Sequence, residues 1–153
     1  MQDVIKMRGC LEIAVQDASG RVVDYHKFDN TVVTAGRRWV LQQIASSEIN
    51  TAQSISYIAV GTGTAAPATS DTGLGSETSR LAINAFTTSN LTSNPPSWRA
   101  EASWATNQAN TTLGEVALFN SSSGGTMLGR ATFPSTINKT TSNTLSISYT
   151  VSN

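Results

Sequence analysis

Between Asn143 and Val151 the chain reads Asn-Thr-Leu-Ser-Ile-Ser-Tyr-Thr-Val, with an apolar side chain at every second position and small hydroxylated ones between. A β-strand sends successive side chains to opposite faces, so Leu145, Ile147, Tyr149 and Val151 share one face; a helix would scatter them round its axis. Such a strand has one dry face and one hydrogen-bonding face, and it needs a sheet to sit in and a second layer to pack on. The same alternation recurs in residues 7 to 16, with Leu11, Ile13 and Val15 on one face, and from Trp98 to Thr106. There Trp98, Ala100, Ala102 and Trp104 face one way and Arg99, Glu101 and Ser103 the other.

The intervals are punctuated by turn residues. Asp17-Ala18-Ser19-Gly20 predicts a tight return into Arg21 to Phe28, making an antiparallel hairpin in which Val23 and Tyr25 alternate. Ser121-Ser122-Ser123-Gly124-Gly125 predicts a second hairpin, joining a strand from Thr112 to Asn120 to one from Thr126 to Phe133 that Pro134 ends. In the first of these strands Val116, Leu118 and part of Phe119 are expected to be buried. Ser54 to Val60 and Arg80 to Thr88 read as strands, and Asn90 to Ser97, with Pro95-Pro96, as a polar connector.

One helix interrupts the pattern. Thr34 stands where a helix N-cap would, ahead of residues 35 to 46. Trp39, Val40, Leu41 and Ile44 form its apolar stripe, and Arg37, Arg38, Gln42 and Gln43 its polar side. About eight strands and one amphipathic helix (about 35–46) predict a single all-β domain over 1–153. The expected architecture is an antiparallel β-sandwich, jelly-roll-like, rather than a barrel or an α/β fold.

Charge narrows the range of partners. Ten basic and ten acidic residues cancel, and only 13% of residues are charged. Binding to phosphate backbones needs a concentrated positive field, so nucleic acid is not expected as a partner. Ser, Thr and Asn make up about a third of the chain, which gives a neutral surface with little charge repulsion against self-association. From residue 84 onward only Arg99, Glu101, Glu115, Arg130 and Lys139 are charged. Long strands so poor in charge lack the residues that usually blunt sheet edges, which points to edges covered by other chains. Met1 to Lys6 lacks the apolar core of a leader, and no apolar run reaches bilayer length; synthesis and assembly in a cytosol, away from membrane, are expected. The Asn-x-Ser/Thr matches at Asn90, Asn110, Asn120 and Asn138 are then accidents of composition.

Catalytic chemistry finds few residues to work with. Cys10 is the only cysteine, so it forms no intrachain disulfide and no thiolate zinc site; within a strand it reads as a small buried hydrophobe. His26 is the only histidine and reads as an ordinary surface residue at a strand end. A glycosidase needs two carboxylates across a cleft, for which Glu101 and Glu115 are the candidates in the sheet-rich half, with Trp98 and Trp104 as a stacking platform. Core packing of both tryptophans against the Trp39 helix is the plainer reading. The Arg37-Arg38 pair is either an anion site near a helix start or a solvated face. No catalytic residue, metal or cofactor is expected.

The stretch from Gly61 to Arg80 lies between two apolar strands and holds Gly61, Gly63, Gly73, Gly75 and Pro67. Glycine admits backbone angles closed to other residues and proline fixes one, so this is a shaped loop. Ser70-Asp71-Thr72 to Glu77 suggests one helical turn within it, with Leu74 tucked inward. Gly61-Thr62-Gly63-Thr64 lacks the Gly-Lys-Ser/Thr ending of a phosphate-binding loop.

Four segments together resemble a group of small tailed-bacteriophage virion proteins. They are Asn30 to Trp39, Gly61 to Arg80, Leu113 to Asn120 with Ser123 to Leu128, and Lys139 to Val151. The group includes capsid cement (decoration) proteins and tail- or fibre-associated proteins. The resemblance implies a β-sandwich or jelly-roll subunit that acts by binding, resides in the virion and carries no catalytic residues. A cement protein bridges neighbouring capsomers as a dimer or trimer, with the major capsid protein as its partner; a tail component would contact tail proteins. In that role the weakly charged loop, flexible until ordered, is the candidate contact surface, through Thr62, Thr64, Pro67, Thr69, Asp71 and Leu74.

Overall fold

The computed structural model describes residues 7–45, 54–88 and 96–152. Of the expected elements, the connector at residues 90–95, the Ile44 side chain and the helix end at Ser46 lie outside the described residues.

Alternating apolar residues build the first sheet as expected. Strand β1 (Arg8–Gln16) lies between β2 (Val22–Asp29) and β10 (Thr144–Ser152), followed by β7 (Ser97–Trp104) and the short β6 (Ala85–Thr87), all antiparallel. Leu11, Ile13 and Val15, Ala100, Ala102 and Trp104, and Leu145, Ile147, Tyr149 and Val151 are buried on its inner face. The second sheet runs β3 (Thr31–Val32), β9 (Met127–Asn138), β8 (Thr112–Phe119), β4 (Tyr57–Gly61) and β5 (Glu77–Ala82), again antiparallel. Its Ile58, Val60, Val116, Leu118 and Leu128 meet the first sheet to form the main core. The protein is a two-sheet antiparallel sandwich with one short helix, as the alternation predicts.

Ten strands are present among the described residues rather than about eight, partly because one expected strand is two. Residues 80–88 change sheets at Ile83-Asn84: the Ile83 N–H donates to Ser56 O at 2.8 Å beside β4, and the next N–H, of Asn84, donates to Glu101 O at 2.9 Å on β7. Pro134 does not end β9. Glu115 pairs with Thr132 and Leu113 with Ile137, so the intervening residues bulge away from β8 and the exposed proline has no ladder bond to lose.

Helix α1 (Thr34–Ala45) begins one residue early. The Val33 carbonyl accepts the Arg37 N–H at 3.1 Å, so Val33 holds the cap position, and the Thr34 N–H is satisfied by Thr69 O at 2.8 Å. Trp39 and Val40 pack on the main core, but Leu41 is 64% exposed and leaves the stripe. A Cβ at Gly36 would collide with the backbone of Leu128, so glycine there lets the helix lie directly against β9.

The second sheet is buried on its outer face too. Val33, Ala59, Ala117, Phe119 and Met127 form a separate cluster there, with Ala35, Tyr57 and Leu74 packed on it. For that reason every residue of β8 from Leu113 to Phe119 is buried, where alternation alone predicts only one face. The roof over this face is the Gly61–Ser76 loop.

Candidate functional site

Beneath that roof lies the most strongly organised polar group among the described residues. Glu115, completely buried on β8, and Arg130, 4% exposed on β9, both project from the outer face of the second sheet. Glu115 pairs with Thr132 and Ala117 with Arg130, so the two charges sit diagonally across one hairpin. Arg130 Nη2 lies 2.8 Å and Nε 3.0 Å from Glu115 Oε2.

The loop closes on this pair with its backbone. Glu115 Oε1 accepts the N–H of Gly63 at 3.0 Å and of Ser76 at 2.7 Å, and Oε2 accepts that of Gly75 at 3.0 Å. Arg130 donates through Nη1 to Asp71 Oδ2 at 2.6 Å and through Nη2 to Ala65 O at 3.1 Å. One buried ion pair thus gathers Gly63, Ala65, Asp71, Gly75 and Ser76. A Cβ at Gly63 would overlap the Glu115 carboxylate, so only glycine lets the backbone come this near. Arg80 closes the far end, pairing with Glu77 at 2.7 Å, donating to Ser121 O and Gly124 O, and lying 3.6 Å over the Phe119 ring.

The expected contact residues separate into two sets. Thr64 and Thr69 are exposed and face outward, with Pro67 half-buried beside them. Thr62 is half-buried, its N–H donating to Ser76 O at 2.9 Å. Asp71 turns inward to Arg130, and its Oδ2 also accepts the Ala68 N–H at 2.9 Å. Leu74 does tuck inward, onto the outer cluster, but no helical turn forms around it. The loop is therefore not a segment waiting for a partner to order it: it is already bound to its own sheet.

Burial pushes the Glu115 carboxyl up, but the N–H groups of Gly75 and Ser76 and the Arg130 guanidinium outweigh it and hold it below its ordinary value. The Ala68 N–H and Arg130 likewise lower Asp71. A carboxyl with a depressed folded-state pKa contributes stability that is complete above its unfolded value and disappears as pH falls through the folded one. Stability should therefore hold from neutrality down to about pH 5 and decline below about pH 4. Lys27 also lowers Glu12 and Ser19 lowers Asp17, so the check is a comparison of denaturation midpoints against pH for the parent and for Glu115→Gln. The variant should be weaker at neutral pH and lose less on acidification; parallel curves would contradict the assignment.

A third buried charge, Lys139, has no counterpart among the sequence-based expectations. Lys139, 1% exposed, donates to Ala105 O at 3.0 Å, Asn110 Oδ1 at 2.9 Å and Thr140 O at 3.1 Å. Its three donors are all satisfied, and burial lowers its pKa. It fastens the turn between β7 and β8, where Ala109 takes a positive φ of 51°.

The residues of the glycosidase reading do not converge. Glu115 is sealed in the second sheet, whereas Glu101 lies on the outer face of the first, 2.8 Å from Arg99 Nε. Trp104 is wholly inside the core, its Nε1 donating to Ser79 Oγ at 2.8 Å, while Trp98 stacks on Phe86 with ring centroids 5.3 Å apart. Cys10 is half-buried on the outer face of the first sheet, not in the core, and burial raises its pKa. His26 is more enclosed than expected, its side chain 15% exposed. Among the described residues no group of three His, Cys, Asp or Glu could hold a metal ion, and no helix is long and apolar enough to cross a membrane. Comparison with family models, with curated proteins and with solved structures finds no match to this chain.

Proposed function

We propose that the chain is a non-enzymatic structural subunit of a tailed-bacteriophage virion, and within it a capsid cement or decoration protein that bridges neighbouring capsomers. The resemblance of the four segments motivates the class. The observation that carries the role is the loop fastened onto Glu115 and Arg130. A surface shaped in advance loses little conformational entropy on docking, which is what a contact repeated many times by symmetry requires. Its outward residues, Thr64 and Thr69, with Pro67 half-buried beside them, are neutral and offer hydroxyl groups rather than a charged patch. The partners in this reading are the major capsid protein and other copies of the chain, as a dimer or trimer.

Copy number in purified particles tests the assignment. A cement protein should be present in on the order of hundreds of copies, set by the symmetry of the shell. A few dozen copies or fewer would instead make it a tail- or fibre-associated adaptor, and absence from particles would overturn both. A particle reconstruction in which the Gly61–Ser76 loop faces only solvent would remove the loop from the contact.

A further inference from the structure

Strand β2 forms one edge of the first sheet, paired to β1 on one side only. Of the five large hydrophobic residues that stay exposed among the described residues, three lie on it, Val22 and Val23 at 48% and Tyr25 at 54%; the other two are Leu41 on α1 and Phe86 on β6. His26 Nε2, beside them, is shut off from solvent and has no aligned hydrogen-bond partner, although Asp24 Oδ1 lies 3.1 Å away.

We infer that β2 pairs antiparallel with β2 of a second copy across a two-fold axis at Tyr25, joining the two first sheets into one. This rests on the self-association proposed above and assigns it a surface. A two-fold axis perpendicular to the sheet must set one residue opposite its own copy, and the side chains of β2 choose which one. An axis at Asp24 or at Lys27 would oppose like charges. An axis at His26 would put Asp24 against Phe28, with no polar side chain to meet. An axis at Tyr25 puts Asp24 of each copy against His26 of the other, twice, on the same side of the sheet.

The faces agree with this register. Asp24 and His26 pair with Val15 and Ile13 on the inward side of β1, while Tyr25 pairs with Ala14 on the outward side. The joined sheet therefore sets both Asp24–His26 pairs on its inward side and brings two tyrosine rings together on the other. The carboxylate of the second copy then lies across the strand from the His26 ring, whose own Asp24 is poorly aligned with it. Val23 runs past Lys27 of the second copy, whose aliphatic stem covers it. The β-bulge between Val15 and Gln16 lies at that end and twists the edge.

The test is disulfide trapping in a Cys10→Ser background, with sedimentation to measure association. Residues opposite one another in an antiparallel pair have Cα atoms about 4.5–5.5 Å apart, within disulfide reach. Tyr25→Cys should therefore form a covalent dimer on mild oxidation. Lys27→Cys should not, because an axis at Tyr25 leaves its two copies about 13 Å apart. Asp24→Lys should weaken the untrapped dimer about tenfold, and adding His26→Asp, which restores opposite charges across the axis, should recover it. Trapping at position 27 in place of 25, or an oligomer indifferent to Asp24→Lys, would overturn this interface while leaving self-association in place. A parent chain that stays monomeric at every concentration would overturn both, whatever the copy number in particles.

Discussion

Glu115→Ala is expected to cost about 5 kcal/mol or more of folding stability, the largest loss from any single substitution in this chain. The carboxylate serves two clients. Removing it leaves Arg130 buried with only Asp71 and Ala65 as partners, and it strips the N–H groups of Gly63, Gly75 and Ser76 of their acceptor. Each orphaned donor costs about 1–3 kcal/mol if it stays dry, so the loop would lift from the sheet to reach water. Lifting it uncovers Leu74 and the cluster of Ala59, Ala117 and Phe119. Arg130→Met should be milder, about 3 kcal/mol, because the carboxylate keeps its three backbone donors.

The paired substitution is more diagnostic still. Replacing a buried ion pair by apolar residues of similar size is often neutral or stabilising when the pair serves only itself. Here Glu115→Met with Arg130→Leu should be about as damaging as Glu115→Ala, since the three loop amides lose their acceptor either way. Equilibrium unfolding in urea, with slopes compared to detect partial opening, measures all three. A double variant as stable as the parent would show that the loop amides can find water without cost and that the pair is not what holds the roof.

Trp104→Ala should cost about 3–5 kcal/mol, the usual range for emptying the site of a fully buried aromatic. Trp104 pairs with Leu145 on the first sheet, and its Nε1 donates to Ser79 of β5 in the second, so it joins the two layers by contact and by hydrogen bond. Trp104→Phe keeps much of the volume and removes the donor, leaving Ser79 Oγ without it; about 1–2 kcal/mol is expected. Thermal and urea unfolding of the two variants separate packing from hydrogen bonding. Equal losses would mean that the ring contributes little beyond its nitrogen.

Side-chain alternation made the first sheet legible in advance, because Leu11, Ile13, Val15 and the Leu145–Val151 row each show one dry face. The second sheet was harder because β8 is dry on both faces, and what covers its outer side is a loop with no regular structure. The switch of sheets at Ile83-Asn84 has no local marker either; it depends on which strand offers the next carbonyl. The Glu115–Arg130 pair did leave a signal. Each is a solitary charge within an otherwise apolar arm of one hairpin, and opposite charges so placed can meet across it. Reading Glu115 against Glu101, the other carboxylate of the sheet-rich half, obscured that. The glycines and proline mark the loop as shaped, but its fastening leaves no mark in the sequence, since it depends on backbone amides that every residue but proline has.

The position of β1 between β2 and β10 sets an order of events for a newly made chain. The hairpin of β1 and β2 can form as soon as it is synthesised, since its partners are neighbours in sequence. Its other edge, from Arg8 to Gln16, must wait for Thr144 to Ser152, nearly the whole chain later. Until then Leu11, Ile13 and Val15 have no second layer, and closing so long a loop is slow, on the order of milliseconds to seconds once the last strand is free. The time between the two pairings is when this chain is most exposed to meeting the wrong strand.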